Sequence, residues 1–222
     1  NFHIPIVVKT EPAKKWRFAT GLGFGTDTGP RLTLAAERRR INRRGHSIVA
    51  DSLLSGIEQS IGAQYKIPIG NLVSDRLVFS SKATWEDIAD DGESRRLTLG
   101  VNRNESWRGL QRQLYIRFER EDFTIGDDDE IVNYFIPGMA LSYLKAYNVL
   151  FPRRGYSWSA DVRGAAALLV SDTTFTSAEA TGRAVFPLGE RARALFHLQA
   201  GGMAVEDFSE LPTTERFYAG GD

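Results

Sequence analysis

Hydrophobic and polar residues alternate one by one along much of this chain, most clearly between positions 114 and 119. Apolar residues there take every second position and polar residues lie between them: Leu114, Ile116 and Phe118 against Tyr115, Arg117 and Glu119. A period of two residues is that of a β-strand, whose side chains point alternately to opposite faces. The segment therefore predicts a strand with one apolar face and one polar face.

The same period recurs along the chain, for example at 96–102 and 193–198, and a helical period fits none of these segments. Turn residues between the alternating runs divide the chain into about eleven strands, which predicts an all-β protein. The predicted strands cover residues 16–25, 30–40, 46–56, 60–69, 76–87, 95–104, 110–123, 132–147, 156–170, 174–187 and 191–207.

The first predicted strand is rich in glycine on one face. One face carries Trp16, Phe18, Thr20, Leu22 and Phe24, and the other carries Arg17, Ala19, Gly21, Gly23 and Gly25. Glycine contributes no side chain to a sheet and loosens a strand entropically. One interpretation is a weakly held strand that can open. The other is that the glycines relieve crowding inside a curved sheet.

Composition excludes several classes of protein. Lys and Arg number 28 against 28 Asp and Glu, so the charge balance does not indicate a nucleic-acid partner. The chain has 0 Cys, which excludes disulfide frameworks and thiol catalysis. It also lacks an apolar run near the ~18 residues of a membrane helix. A strand of a membrane barrel needs only ~10 residues, with apolar groups at alternate positions.

Candidate catalytic chemistry is sparse. His3, His46 and His197 are scattered, and no nucleophile, base and orienting group can be assembled around them. The acidic run at 127–130 lacks the ligand spacing and turn glycine of a calcium loop. Gly21-x-Gly23-x-Gly25 lies inside an alternating strand with no helix after it, so it does not indicate a phosphate loop. We expect no enzymatic activity, no cofactor and no metal.

Connections between the predicted strands alternate in charge. Those at 85–93 and 126–130 are acidic, and those at 38–45 and 152–155 are basic. Because alternate connections of a barrel lie on opposite sides of a membrane, its two ends would differ in charge.

Aromatic residues concentrate near the predicted strand ends, as in the girdles of membrane barrels. They are Trp16, Trp85, Trp107, Trp158, Tyr65, Tyr115, Tyr134, Tyr143, Tyr147 and Tyr156. A soluble β-sandwich could also bury these rings, but it would seldom place Arg, Glu and Gln repeatedly on the inward face. The pattern therefore favours a barrel, with Leu114, Ile116 and Phe118 facing lipid and Arg117 and Glu119 facing the lumen.

Several motifs, in order, resemble a known family. Residues 206–222, which end in Gly220-Gly221-Asp222, resemble the run into the sixth extracellular loop of TamA, a relative of BamA. Residues 24–31 resemble the hairpin between its first two barrel strands. Gly45-His46-Ser47, Glu58-Gln59 and Tyr65-Lys66-Ile67-Pro68 follow in the family's order.

The resemblance implies a fold and a division of the chain. Residues 1–12 would be the closing strand of a polypeptide-transport-associated (POTRA) domain, and 13–15 a linker. Residues 16–222 would be a partial transmembrane antiparallel β-barrel, with the first eleven of about sixteen strands. The chain is thus expected to be a fragment whose sheet does not close.

The resemblance also implies functional residues. The first strand would be a lateral gate whose edge pairs with client strands: Trp16, Phe18, Ala19, Thr20, Gly21, Leu22, Gly23 and Phe24. The base of the sixth extracellular loop would be Phe217, Gly220, Gly221 and Asp222. The arginine motif that follows this base in the family is absent.

The function implied is that of the barrel subunit of a translocation and assembly module in a Gram-negative outer membrane. It would insert or translocate autotransporters and other outer-membrane proteins, with a TamB-like periplasmic partner and contact with outer-membrane lipid. One alternative is a BamA-like general assembly factor or a two-partner secretion transporter. A more remote alternative is a passive porin or channel.

Overall fold

The computed structural model describes residues 14–26, 29–70, 74–88, 92–125, 128–146, 152–167, 171–189 and 192–206. These residues form eleven strands in one sheet. The strands are β1 (Trp16–Gly25), β2 (Gly29–Arg38), β3 (Ser47–Ser55), β4 (Glu58–Pro68), β5 (Arg76–Ile88), β6 (Gly92–Trp107), β7 (Leu110–Ile125), β8 (Asp128–Ala146), β9 (Gly155–Ala165), β10 (Phe175–Leu188) and β11 (Ala192–Val205).

Each strand pairs antiparallel with the next one in sequence, so the strands lie in the sheet in chain order. Within the described ranges β1 pairs only with β2, and β11 only with β10. The prediction of an all-β antiparallel sheet of eleven strands is therefore confirmed, and among the described residues the sheet has two open edges.

The two faces of the sheet have inverted polarity. Along β6 the shielded and exposed positions alternate from Gly92 to Asn104, and the shielded ones include the polar Ser94, Arg96, Thr98 and Asn102. The exposed ones between them include the apolar Leu97, Leu99 and Val101. A water-soluble protein shields its apolar side chains instead. We call the polar, shielded face the inner face and the apolar, exposed face the outer face.

The register of paired strands places apolar residues next to apolar ones on the outer face and polar residues on the inner face. Leu99 lies opposite Phe118 and Val101 opposite Ile116 on the outer face, and Gly100 lies opposite Arg117 on the inner face. Glu119 is only 6% exposed, whereas Leu114 and Ile116 are 40% and 47% exposed. The sequence-based assignment of opposite faces to these side chains is confirmed.

Two aromatic residues do not lie where the girdle interpretation placed them. Tyr134 lies opposite Glu119, and Tyr115 lies opposite Gly138, so both rings belong to the inner face. Tyr115 donates hydrogen bonds to Asp161, and Tyr134 is fully buried. The girdle was predicted because these residues lie near strand ends. The alternation of side chains along the strands instead places both rings on the inner face.

Tyr134 belongs to an apolar cluster on the inner face of β7–β10. The cluster consists of Phe123, Val132, Tyr134, Ile136, Ala165 and Phe175, with Met203 and Val205 packed against it. The rings of Tyr134 and Phe175 meet edge to face at 6.4 Å. This end of the inner face is therefore a small hydrophobic core.

The predicted ninth strand is too long at its C-terminal end. It was expected to reach residue 170, but β9 ends at Ala165. The backbone N–H of Phe135 on β8 donates instead to Ser171 Oγ at 2.9 Å, and the Asp172 N–H donates to the Asn133 carbonyl at 3.0 Å. The β9–β10 connection thus supplies hydrogen-bond partners to the part of β8 that β9 does not reach.

Connections of opposite charge lie at opposite ends of the sheet. The end where β1 begins has the connections at 39–46, 108–109 and 152–154, which are rich in arginine. We call it the basic end. The other end, the acidic end, is where β5 meets β6 and β7 meets β8. The proposed domain strand at 1–12 and the loop base, Phe217 and Gly220–Asp222, lie outside the described residues.

We predict that an arginine on the outer face destabilises the membrane-inserted protein far more than one on the inner face. Ile116→Arg should cost about 2–4 kcal/mol if the site lies near the bilayer midplane, because the charge must leave water. Gln113→Arg, on the same strand but facing the inner cavities, should cost less than about 1 kcal/mol. Urea unfolding of protein refolded into vesicles measures both. Equal losses would contradict the facing.

Candidate functional site

The free edge of β1 is the first candidate site. Its ten residues pair with β2 from Trp16 opposite Arg38 to Gly25 opposite Gly29. Successive residues of a strand direct their backbone N–H and C=O groups to alternate sides, so about half of these groups point away from β2. Phe18 and Leu22 are 72% and 88% exposed. The edge thus offers a ready template for another strand.

The base of this strand is held at the basic end. The rings of Trp16 and Phe18 stack at 5.9 Å, and the Arg38 guanidinium lies 5.6 Å from the centre of the Trp16 ring. The Arg39 N–H donates to the Lys15 carbonyl at 3.0 Å. These contacts anchor the start of β1, whereas Leu22 and Phe24 are the exposed apolar residues of its far half.

The glycines of β1 have a steric role. A Cβ on Gly21 would lie 2.6 Å from Thr33 Oγ1, and one on Gly23 would lie 2.9 Å from Arg31 Nε. Thr33 Oγ1 also donates to the Gly21 carbonyl at 3.4 Å. The side chains of β2 therefore occupy the space above these glycines, as the interpretation of relieved crowding expects.

This arrangement recurs across the inner face. In each case a glycine lies opposite a residue whose side chain leans over it: Gly62 under Asp51, Gly100 under Ser80 and Gly138 under Tyr115. On the outer face, Gly182 and Gly202 have no such neighbour within 4 Å. Inner-face glycines are therefore a general feature of this sheet. By themselves they do not distinguish β1 from the other strands.

The β11 strand forms the second open edge. Leu195, Phe196 and Leu198 are between 61% and 73% exposed, and they include residues of both faces. The two edges are alike in having one partner strand each among the described residues. Sequence reasoning assigned a pairing role only to β1.

A second constellation, which sequence reasoning missed, lies on the inner face of β7, β9 and β10. Tyr115 donates to both carboxylate oxygens of Asp161, at 3.0 and 3.1 Å. Arg163 binds Asp161 at 2.7 Å and Glu179 at 2.6 Å. The Tyr115 ring crosses β8 above Gly138, and only a residue without a side chain leaves that path open.

A neighbouring set of charges continues this polar lining towards the acidic end. Arg96 and Ser94 both donate to Glu121 Oε1, at 2.8 and 2.9 Å, and Arg117 pairs with Glu119 at 2.9 Å. Glu121 is 1% exposed, so its charge depends on these partners. Beside them is an open cavity of about 680 Å³, lined by residues that include Thr98, Tyr115, Arg163 and Glu179.

The described part of the inner face offers polar and charged groups that could bind a ligand. Among the described residues, no group of three or more His, Asp or Glu could hold a metal ion. His46 Nδ1 lies 2.7 Å from the Tyr65 hydroxyl, on the outer side of the basic end. His197 lies opposite Arg183 on β10. The described part of the chain contains no helix that is long and apolar enough to cross a bilayer.

Comparison with known proteins shows the fold. The chain is similar to the crystal structure of BamA from Haemophilus ducreyi lacking POTRA domains 1–3, with a TM-score of 0.79 and 12% sequence identity. The similarity covers 94% of this chain and 45% of the BamA chain, so this chain spans less than half of that structure. No protein-family model matches the chain. The sheet is thus a partial barrel of the BamA type.

We predict that a methyl group on Gly21 weakens the pairing of β1 with β2, since it would contact Thr33 Oγ1. Gly21→Ala should speed amide hydrogen exchange along β1 severalfold, and adding Thr33→Ala should restore the original rate. If the double variant exchanges as fast as Gly21→Ala alone, the steric role is wrong.

We also predict that Gly138→Ala displaces the Tyr115 ring, because the added Cβ would overlap the Cζ end of that ring. The expected loss of unfolding free energy is about 1–3 kcal/mol, typical of overpacking. Gly182→Ala, where the Cβ meets nothing within 4 Å, should be neutral or slightly stabilising. Urea unfolding compares them, and equal effects would exclude the role assigned to Gly138.

Proposed function

We propose that this protein is the barrel subunit of an outer-membrane translocation and assembly module. It inserts or translocates autotransporters and other outer-membrane proteins in a Gram-negative bacterium. The observation that carries the proposal is a BamA-type sheet with inverted polarity and an open β1 edge. The motifs in common with TamA favour a translocation and assembly module.

The inverted polarity supports a place in the outer membrane. An apolar outer face exposed to water would be costly, whereas against lipid it is the expected surface of a transmembrane barrel. Every backbone polar group in the bilayer must also be satisfied, and antiparallel pairing in strand order does this for β2–β10. The edges β1 and β11 need further strands.

The open edge of β1 supports a role in client assembly. A client strand that adds to this edge gains main-chain hydrogen bonds, which depend little on its sequence. One edge can therefore serve several clients. The exposed residues Leu22 and Phe24 in the far half of β1 make this part of the edge accessible to such pairing.

The proposed activity needs no nucleotide, metal or covalent step, because strand addition is driven by hydrogen bonding and lipid burial. A TamB-like periplasmic protein is the proposed partner. The resemblance implies a periplasmic domain ahead of β1, so we place the basic end, where β1 begins, on the periplasmic side. Because connections at one end of the sheet are basic and those at the other end are acidic, the two sides of the barrel would carry opposite charge.

A BamA-like general assembly factor is the second candidate, and the similarity to the BamA structure favours it. The two readings differ in their clients. Deletion of a general factor should deplete most barrels of the outer membrane, whereas deletion of a specialised module should deplete autotransporters selectively.

We predict that β1 forms register-specific contacts with a client. Single cysteines at residues 18–24 should crosslink to cysteines in the terminal strand of an autotransporter while it is being assembled. Because paired strands hold a two-residue period, crosslinking should alternate along β1. Matched cysteines at residues 32–36 of β2, which is already paired on both sides, provide the control.

Two outcomes would contradict the gate. Assembly of the client with no crosslink to β1 would show that clients do not pair there. Equal crosslinking at β1 and β2 would indicate nonspecific proximity instead of strand addition.

A further inference from the structure

The outer surface of the basic end contains a groove that combines apolar walls with two cations. It is a cavity of about 570 Å³ between β8, β9 and β10, and its described lining residues are Lys145, Ala146, Arg154, Gly155, Tyr156, Val185 and Phe186. None of these is acidic. Both cations are exposed, and neither has an ion-pair partner among the described residues.

The register places the groove on the outer face. Lys145 lies opposite Tyr156, and Tyr156 lies opposite Ala184, two residues before Phe186. The same outer face carries Met139 and Val162, which are 41% and 48% exposed. The groove therefore opens where the apolar band ends and the basic connections begin.

Aromatic rings surround this position. Tyr143 lies 5.9 Å from Tyr156 and 6.5 Å from Trp158, and Phe186 meets Phe196 edge to face at 5.9 Å. Tyr and Trp concentrate at membrane–water interfaces, where one part of each ring is apolar and the other is hydrated. The groove thus lies at the depth of lipid headgroups if the sheet spans a membrane.

We propose that this groove binds an anionic phospholipid, with its phosphate between Lys145 and Arg154 and an acyl chain along Tyr156 and Phe186. The inference rests on the proposed membrane function and adds a specific lipid site to it. Charge selects the headgroup, since cations near an interface attract anionic lipids. The apolar walls select an amphiphile over free phosphate. Under the proposed orientation the groove faces the periplasmic, phospholipid leaflet.

The test uses the full-length protein reconstituted in nanodiscs of phosphatidylcholine mixed with phosphatidylglycerol, because β1 and β11 need further strands in a bilayer. Native mass spectrometry counts the lipids that remain bound after release. The wild type should retain phosphatidylglycerol preferentially. Lys145→Gln with Arg154→Gln should lower that preference at least about fivefold, the factor expected from a single interfacial cation. Arg43→Gln with Arg44→Gln removes the same charge from another connection of the basic end, and it should leave the preference unchanged.

The remaining outcomes overturn the proposal in distinct ways. Equal retention of both lipids by the wild type would show that the groove is not selective. Equal losses of the phosphatidylglycerol preference in the two double variants would show that the basic end attracts anionic lipids without a specific site. If an excess of inorganic phosphate abolished the preference while sodium chloride of the same ionic strength left it unchanged, the groove would recognise the phosphate group alone. Failure of the full-length protein to insert into nanodiscs would refute the membrane function itself.

Discussion

Backbone pairing between neighbouring strands is the constraint on which the rest of this structure depends. A paired strand must send successive side chains to opposite faces, so one register fixes the environment of every residue. Val101 opposite Ile116 and Gly100 opposite Arg117 illustrate this on adjacent positions of the same two strands. The apolar outer face and the polar inner face are both consequences of that single register.

The inner face shows how a sheet accommodates many charges. Glu121 is shielded but receives hydrogen bonds from Arg96 and Ser94, and Arg163 joins Asp161 to Glu179 across two strands. Glycines opposite long side chains make room for these contacts, most clearly where Tyr115 crosses Gly138. Removal of one partner would leave the other charge desolvated and unpaired, so these charged residues stabilise the inner face only as a set.

Much of this fold could be predicted from the sequence because the two-residue period is explicit in segments such as 114–119. The eleven strands and the facing of Ile116 and Arg117 follow from it. The end of β9 could not be predicted, since Ala165, Ala166 and Ala167 continue an apolar run without any period. Tyr115 and Tyr134 were assigned to the girdle because they lie near predicted strand ends, and the face of the sheet to which they belong was not considered. The β1 edge was proposed from a resemblance and from glycines, but inner glycines occur throughout the sheet.

The Tyr115–Asp161 contact was out of reach of sequence reasoning, because it joins residues on strands that are not neighbours. The groove at the basic end was likewise hidden, since Lys145, Arg154 and Phe186 belong to three different strands or connections. Both features depend on the full strand order.

Lipid contact measured residue by residue tests the inverted polarity most directly. Single tryptophans introduced at Leu99 and at Thr98, in a background where the native tryptophans are replaced by phenylalanine, can be compared in vesicles with brominated acyl chains. The account predicts strong quenching of the tryptophan at position 99 and little quenching at position 98. Equal quenching at both positions, or stronger quenching at 98, would contradict a barrel with an apolar outer face and a polar lumen.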